Sequence, residues 1–216
     1  MRAAITLTPA EQGAVDTALT TTRAVRKRLD LERPVDPALV EAALQVAHQG
    51  PSGGGEEPVR WIVVTDPQVR RRVGESYREA YAQLDQEREA PTGPGAAGIT
   101  KIRGSSAYLA TVMTSVPVQV LACTVAPAPT TGLGAETAKF YASIYPAVWS
   151  LQVALRARGL GSCLTTIGLR RSAELAAAVN LPPGWTCCAL LPVAHVTGDD
   201  LGPAPRRPLN EVTTWI

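Results

Sequence analysis

The apolar positions of the chain recur with two different periods, which predict helices that alternate with short strands. "TPAE" at positions 8–11 is a capping box, so a first helix is expected from there to about Thr21. "DPALVEAALQVAH" repeats the pattern, with Asp36 as the cap and Pro37 in the first turn. The apolar run "RWIVVT" that follows has the length and composition of a buried strand.

The same patterns continue through the second half of the chain. A third helix is expected from the Asp-Pro pair at 66–67, and a fourth from Ser105 to about Met113. The longest helical run follows, "TAKFYASIYPAVWSLQVALRARG", with a kink expected at Pro146. A short helix is expected from a Ser172 cap to about Val179.

Two further strands, "VPVQVLACTV" and "TCCALLPVAHVTG", complete the prediction of an α+β fold. Segments 90–104 and 126–134 are rich in Gly, Pro and small residues, so both are expected to be irregular loops within a single domain, 1–216. "GLGSCL" at 159–164 contains G-x-G, but it follows a helix and precedes a strand. It therefore indicates a helix C-terminus and not a dinucleotide-binding turn.

The composition narrows the class of partner. With 21 basic and 19 acidic residues, the net charge of +2 provides no broad surface for nucleic acid or an anionic membrane. No apolar run has membrane length and the chain does not start like a signal peptide, so a cytoplasmic protein is expected. Four scattered cysteines and two histidines argue against a metal site, and no G-x-S-x-G is present.

Four arginines stand in irregular segments beside prolines or helix ends. "TTRAVRKR" places Arg23 and Arg26 just after the first helix, and "PAPRRP" places Arg206 and Arg207 in the C-terminal tail. Guanidinium groups form charge-assisted bonds with phosphate, although single surface arginines are more often only solvated. The sequence thus offers a candidate phosphate site.

An ordered set of segments resembles the FMN-dependent nitroreductase family: "TTRAVRKRLDLERPVDPALVEAALQVAHQGPS", "WIVVTDP", "ASIYPAVWSLQVALRARGLGSCLTT" and "RRPLNEVTTW". The resemblance runs from about Thr20 to Trp215. It implies a three-layer α+β fold with a central, mainly antiparallel sheet flanked by helices. It also implies an intertwined homodimer with FMN at the interface.

The resemblance also implies cofactor-binding residues, position by position. In the family, an R-S-x-R segment and a tail arginine hold the FMN phosphate. The matching residues here are Arg23, Ala24, Val25, Arg26 and Arg206, with Ala24 in place of the usual Ser. The P-S turn matches Pro51 and Ser52, followed by Gly53, and the segment beside the reactive flavin N5 matches Leu164, Thr165 and Thr166.

The loop "GPSGGGEEPV" departs from the family pattern. Gly55 stands in place of an Asn, Glu57 in place of a Gln and Val59 in place of a Trp. An ionised Glu57 only accepts hydrogen bonds, and its charge would oppose the negative charge that the flavin gains on reduction. Glu57 is the candidate catalytic residue, and Glu56 or Glu57 is a candidate base or seat for a cationic group. A flexible surface turn with solvated glutamates is the alternative interpretation.

Other candidates have a packing interpretation. The aromatic residues of the long helix, Phe140, Tyr141, Tyr145 and Trp149, are expected in a dimer core or, alternatively, beside a flavin. Cys163 has no basic sequence neighbour and is expected to be inert, and His195 is expected to be a hydrogen-bonded core histidine.

These observations favour a flavin oxidoreductase that transfers hydride from NAD(P)H through FMN to an electron-poor acceptor: a nitroaromatic, a quinone or an activated alkene. Two alternatives stay open at this point. One is a flavin-dependent dehydrogenase or oxidase of a specialised metabolite, and the other is a flavin-free binding homologue.

Overall fold

A four-stranded antiparallel sheet forms the centre of the molecule. The computed structural model describes residues 6–130, 134–198 and 201–216. The strands are β1 (Val59–Val64), β2 (Val118–Thr124), β3 (Leu160–Ser162) and β4 (Thr186–His195). Their spatial order is β1-β2-β4-β3, so β1 and β3 are the two edge strands.

Seven helices occur in the described residues. They are α1 (Pro9–Thr21), α2 (Pro37–Ala47), α3 (Pro67–Gln86), α4 (Ala96–Val112), α5 (Ala135–Ala142), α6 (Tyr145–Arg156) and α7 (Ser172–Val179). α3 is the longest, with 20 residues. No helix in these ranges is long and apolar enough to span a bilayer.

The two faces of the sheet are covered by different helices. All seven residues of β2 are buried. Val118, Val120 and Ala122 belong to one apolar cluster, whereas Leu121 and Cys123 belong to the other, as the alternation of a strand requires. The helices α2 and α6 pack on the first face, and α3, α4 and α7 pack on the second. The prediction of a three-layer α+β fold is confirmed.

The structure confirms the helix starts that were predicted from capping residues at Thr8, Asp36 and Asp66. Thr8 and Glu11 form the capping box of α1, with Thr8 Oγ1 accepting from the Glu11 N–H at 3.4 Å. Asp36 caps α2, and Asp66 caps α3 by accepting from two backbone N–H groups at 2.9 Å. Gly159 follows α6 with φ of +75°, which agrees with a helix C-terminus.

Three expectations about helices were wrong. The segment 90–104 is not wholly irregular, because α4 begins at Ala96 and not at Ser105. The run around Pro146 is not one kinked helix but two, since α5 ends at Ala142 and α6 has Pro146 in its first turn. Ser172 is the first residue of α7, and the capping position is Arg171, with no side-chain cap. The second loop is irregular over 126–130, and its residues 131–133 lie outside the described residues.

Candidate functional site

The arginine segment after α1 runs beside the edge strand β3. The N–H of Val25 donates to the Ser162 carbonyl at 2.9 Å, and Ala24 pairs with Ser162 in parallel register. Gly161 permits this approach, because a Cβ there would lie 3.1 Å from the Val25 Cβ. The side chain of Val25 is buried, whereas Ala24 is exposed. The backbone therefore fixes Arg23 and Arg26 next to the start of segment 163–166.

Arg23 connects this segment to the C-terminal tail. Its guanidinium donates to the Gly202 carbonyl at 3.1 Å. Arg206, four residues further along, is exposed, and its guanidinium donates to the adjacent Pro205 carbonyl at 3.5 Å. Arg207 is also exposed. The tail passes Arg23, but the contact that the structure gives Arg206 is with its own neighbour.

Arg26 reaches a polar cluster under β3. Its guanidinium donates to Ser105 Oγ of α4 at 3.5 Å and lies beside the thiol of Cys163. Burial raises the pKa of the Cys163 thiol, and the Arg26 guanidinium opposes that rise. The expectation that nothing basic adjoins Cys163 was therefore wrong, although burial still keeps the thiol protonated and inert. Tertiary contact supplies the basic neighbour, which the local sequence does not contain.

Segment 164–166 is held by both its backbone and one side chain. Thr165 exchanges two backbone hydrogen bonds with Leu190 of β4, each 2.9 Å. The hydroxyl groups of Tyr77 and Thr165 are 3.3 Å apart, and Tyr77 is 1% exposed. Burial raises the pKa of Tyr77 to about 12, so this hydroxyl stays protonated. Leu164 is partly buried and Thr166 is exposed.

Neither Tyr77 nor Ser105 is recognisable from the sequence as part of this cluster. Tyr77 lies on the buried face of α3, four residues after Val73, so its spacing indicates a core position and nothing more. Its contact with Thr165 joins residues that are 88 positions apart. Only the tertiary fold brings these hydroxyl groups together.

The glycine loop 53–55 contains the unusual dihedrals that a run of glycines suggests. Gly54 and Gly55 have φ of +72° and +70°, and a Cβ on either would meet open space. The Gly53 N–H donates to Ser143 Oγ at 3.1 Å, and Ser52 Oγ donates to the Glu56 carbonyl. The loop is therefore an ordered turn that exposes its backbone.

Helix α6 supports the start of this loop. A Cβ at Gly50 would lie 2.8 Å from the Ala147 Cα, so the loop approaches the helix as closely as glycine allows. Pro51 is exposed at the surface, and Glu56 and Glu57 are exposed as well. The start of the loop is thus packed directly against the backbone of α6.

Glu56 and Glu57 face different cavities. Glu57 lines a small cavity of about 20 Å³ with Trp61 and His48, enough for about one water molecule. The Trp61 Nε1–H is buried and has no hydrogen-bond partner among the described residues. Glu56 instead lines an open cleft of about 460 Å³ between the loop, the end of β2 and α5.

The candidate site residues fall into two groups at opposite edges of the sheet. The glycine loop leads into β1, whereas the arginine segment and residues 164–166 adjoin β3. Three strand spacings of about 4.8 Å separate the edge strands, or roughly 14 Å. One chain therefore does not place the loop beside the arginines.

The aromatic residues at 140–149 divide between core and surface. Phe140 and Tyr145 pack against the first cluster, and the rings of Tyr141 and Tyr145 stack with centroids 5.4 Å apart. Trp149 is 44% exposed on α6. His195 is partly exposed at the end of β4 and is not in the core, so that expectation was wrong.

A sheet with helices on both faces, an arginine segment beside β3 and an ordered glycine loop before β1 define an α+β protein with a candidate anion-binding edge. The model of the nitroreductase family matches residues 19–195. The chain belongs to the nitroreductase family, and the resemblance inferred from the sequence is confirmed.

Solved structures of similar fold agree with this assignment. A nitroreductase-like family protein from Bacillus cereus is 18% identical, with 99% of each chain covered and a TM-score of 0.64. A BluB-like flavoprotein from Clostridium difficile 630 is 18% identical over 94% of this chain and 98% of its own, with a TM-score of 0.67. The FMN and NADPH-dependent nitroreductase NfnB from sphigopyxis sp. strain HMH is 21% identical over 93% and 98%, with a TM-score of 0.67. At these identities the likeness is one of fold.

Proposed function

We propose that this protein is an FMN-dependent oxidoreductase that passes hydride equivalents from NAD(P)H to an electron-poor organic acceptor such as a nitroaromatic, a quinone or an activated alkene. The observation that carries the proposal is the 2.9 Å hydrogen bond between Val25 and Ser162. It holds the arginine segment 23–26 against the end of β3, two residues before segment 164–166. The family assignment and the FMN dependence of the similar nitroreductase support it.

The donor set at this edge suits the cofactor. Arg23 and Arg26 would bind the phosphate as charge-assisted donors, with Arg206 added from the tail. The backbone of Leu164, Thr165 and Thr166 would lie beside the flavin ring, held in place by Leu190 and Tyr77. The open backbone of Gly54 and Gly55 would let the ring approach the loop. When bound, FMN supplies the two-electron chemistry, and these residues orient it and exclude water.

We also propose a homodimer in which each site takes its arginine edge from one chain and its glycine loop from the other. The roughly 14 Å between the sheet edges supports this division. Exposed apolar side chains near the C-terminus also support a homodimer: Leu209 is 74% exposed, Val212 62% and Trp215 91%. Helix α1 also buries none of its side chains within one chain. A second copy would cover such surfaces.

Subunit complementation tests the shared site. Arg23→Gln combined with Arg26→Gln removes the arginine half, and Gly54→Val removes the loop half, so neither parent variant alone should retain FMN. Co-expression should restore about a quarter of the wild-type FMN content, because about half of the dimers are mixed and each mixed dimer has one intact site. No restoration, or a monomeric mass in sedimentation, would refute the shared site. Thermal unfolding of each parent variant confirms that it folds.

NAD(P)H oxidation by the purified flavin-loaded protein tests the reaction itself. We expect oxidation of NADH or NADPH that depends on an added nitroaromatic or quinone under anaerobic conditions. A protein that retains FMN but is not reduced by either nucleotide would favour a dehydrogenase that oxidises its own substrate. A protein that binds no FMN would favour the binding homologue.

Glu57 gives a second test on the cofactor. Its negative charge near the pyrimidine half of the flavin would disfavour the reduced form, so Glu57→Gln should raise the reduction potential. Potentiometric titration of both proteins measures this. An unchanged potential would show that Glu57 belongs to the Trp61 cavity and does not act on the flavin.

A further inference from the structure

The open cleft beside the glycine loop has the size of a small-molecule site. We call it the loop–helix cleft. It is bounded by Glu56 and Pro58, by Thr124 and residues 126–130, and by one side of α5. Its volume of about 460 Å³ falls in the range of ligand pockets. Because Glu56 directly follows the exposed glycine backbone, the cleft adjoins the proposed flavin position.

Three charged side chains line the cleft without neutralising one another. They are Glu56 from the loop, and Glu136 and Lys139 from α5. Within the described part of the chain, none of the three forms an ion pair or a side-chain hydrogen bond. Glu136 and Lys139 are three residues apart on one helix, so they lie on the same side of α5. Two carboxylates and one ammonium leave one negative charge in the cleft.

The remainder of the lining is largely apolar. Pro58, Ala126, Pro127 and Phe140 provide apolar surface, and Ser143 is occupied by its bonds to Gly53 and Lys139. An apolar or aromatic body would fill this surface, while the net negative charge of the cleft would attract a positive group. The lining therefore favours a cation with an apolar body over an anion of the same shape.

We propose that the loop–helix cleft binds the electron acceptor and selects acceptors that carry a protonated amine attached to an aromatic or apolar body. The inference rests on the proposed function for its redox role. For a nitro acceptor the balanced step reduces R–NO₂ to R–NO and releases one water. One NAD(P)H is oxidised to NAD(P)⁺ and one further proton is consumed. The amine selects and orients the acceptor but takes no part in the electron transfer.

Binding of unreactive probes tests the cleft without any redox step. The probes are 2-phenylethylamine, a cation, and 3-phenylpropanoate, an anion of similar shape. Ligand-observed NMR titration of the purified protein should show tighter binding of the cation. Glu56→Gln and Glu136→Gln should each weaken it about two- to fivefold, the scale of an exposed ion pair. Lys139→Gln should strengthen it by a similar factor.

The control is Glu41→Gln, which removes the same charge from an exposed position on α2 outside the cleft and should leave both affinities unchanged. Raising the salt concentration should reduce the preference for the cation. Equal affinity for the two probes, or a preference that survives Glu56→Gln combined with Glu136→Gln, would overturn the inference. All four positions are exposed, so the variants are expected to fold, and thermal unfolding checks this.

Turnover then separates this inference from the proposed function. Three acceptors share a nitrophenyl group and differ in charge: 4-nitrophenethylamine, 4-nitroethylbenzene and 3-(4-nitrophenyl)propanoate. We expect kcat/KM to fall in that order. If NAD(P)H reduces the bound flavin but the three acceptors react equally, the cleft inference fails alone. If the cation probe binds but no NAD(P)H is oxidised, the proposed function fails and the cleft as a binding site survives.

Discussion

Gly50→Ala should destabilise the protein because the glycine loop rests directly on the backbone of α6. A Cβ at Gly50 would lie 2.8 Å from Ala147 Cα and 3.0 Å from both Ala147 N and Cβ. Carbon atoms in ordinary contact are about 3.5–4.0 Å apart, so the loop or the helix would have to move by roughly 0.7 Å. None of the three contacting atoms belongs to a flexible side chain, so the clash can be relieved only by moving the backbone of the loop or of α6.

The expected loss follows from overpacking. Forcing one extra methyl group into such a contact costs about 1–3 kcal/mol. The lower entropy of an unfolded alanine returns about 0.4–1 kcal/mol, which leaves a net loss of about 1–2 kcal/mol. For a chain of this length, about 2–4 °C of Tm is lost per kcal/mol, so the Tm should fall by roughly 2–8 °C.

Thermal unfolding followed by circular dichroism measures this, with Gly13→Ala as the matched control. Gly13 lies inside α1 and a Cβ there meets nothing within 4 Å, so the same substitution should leave the Tm unchanged or raise it. A Gly50→Ala protein as stable as the wild type would refute the close contact. It would also remove the reason to regard the loop as a rigid platform.

Two further predictions concern the other edge of the sheet. Tyr77→Phe should lose less free energy of unfolding at high pH than the wild type does. The folded-state pKa of Tyr77, about 12, exceeds the unfolded value of 10. The wild type therefore loses stability as the pH rises above 10, by about 1.4 kcal/mol at pH 11. Chemical denaturation at pH 8 and pH 11 measures this, and parallel losses in both proteins would contradict it. Ala24→Ser should tighten FMN binding about tenfold by adding a hydroxyl donor beside the phosphate, measured by flavin fluorescence quenching, and an unchanged affinity would show that position 24 does not face the phosphate.

The parts of the fold that the sequence predicts are those with a local physical cause. The caps at Thr8, Asp36 and Asp66 form within one turn, and β2 and β4 are apolar enough to be recognised as buried strands. The start of α4 was missed because its first half has no buried face. Its glycines depress helix propensity, and Ile99 and Ile102 are exposed.

The site was predictable only in part. The arginine segment is one continuous stretch of sequence and the glycine loop is another, so each could be identified from the sequence alone. The polar cluster of Arg26, Ser105, Cys163 and Tyr77 joins four distant segments, and no local pattern indicates it. The charges of the cleft were not predicted either, because Glu56 and α5 are far apart in sequence. Tertiary contacts such as the hydrogen bond between Gly53 and Ser143, the residue after α5, bring the loop and the helix together.

Retention of FMN is the sharpest test of whether the arginine segment binds the cofactor phosphate. The purified protein, incubated with excess FMN and desalted, should keep the visible absorbance bands of oxidised flavin. Arg23→Gln combined with Arg26→Gln should lower the affinity by at least about 100-fold, since each charge-assisted bond contributes about 1.5–3 kcal/mol. Arg78→Gln, on the exposed side of α3, should bind as the wild type does. A wild type that keeps no flavin would refute FMN binding by this protein, and a double variant that binds FMN equally well would refute the role of the two arginines.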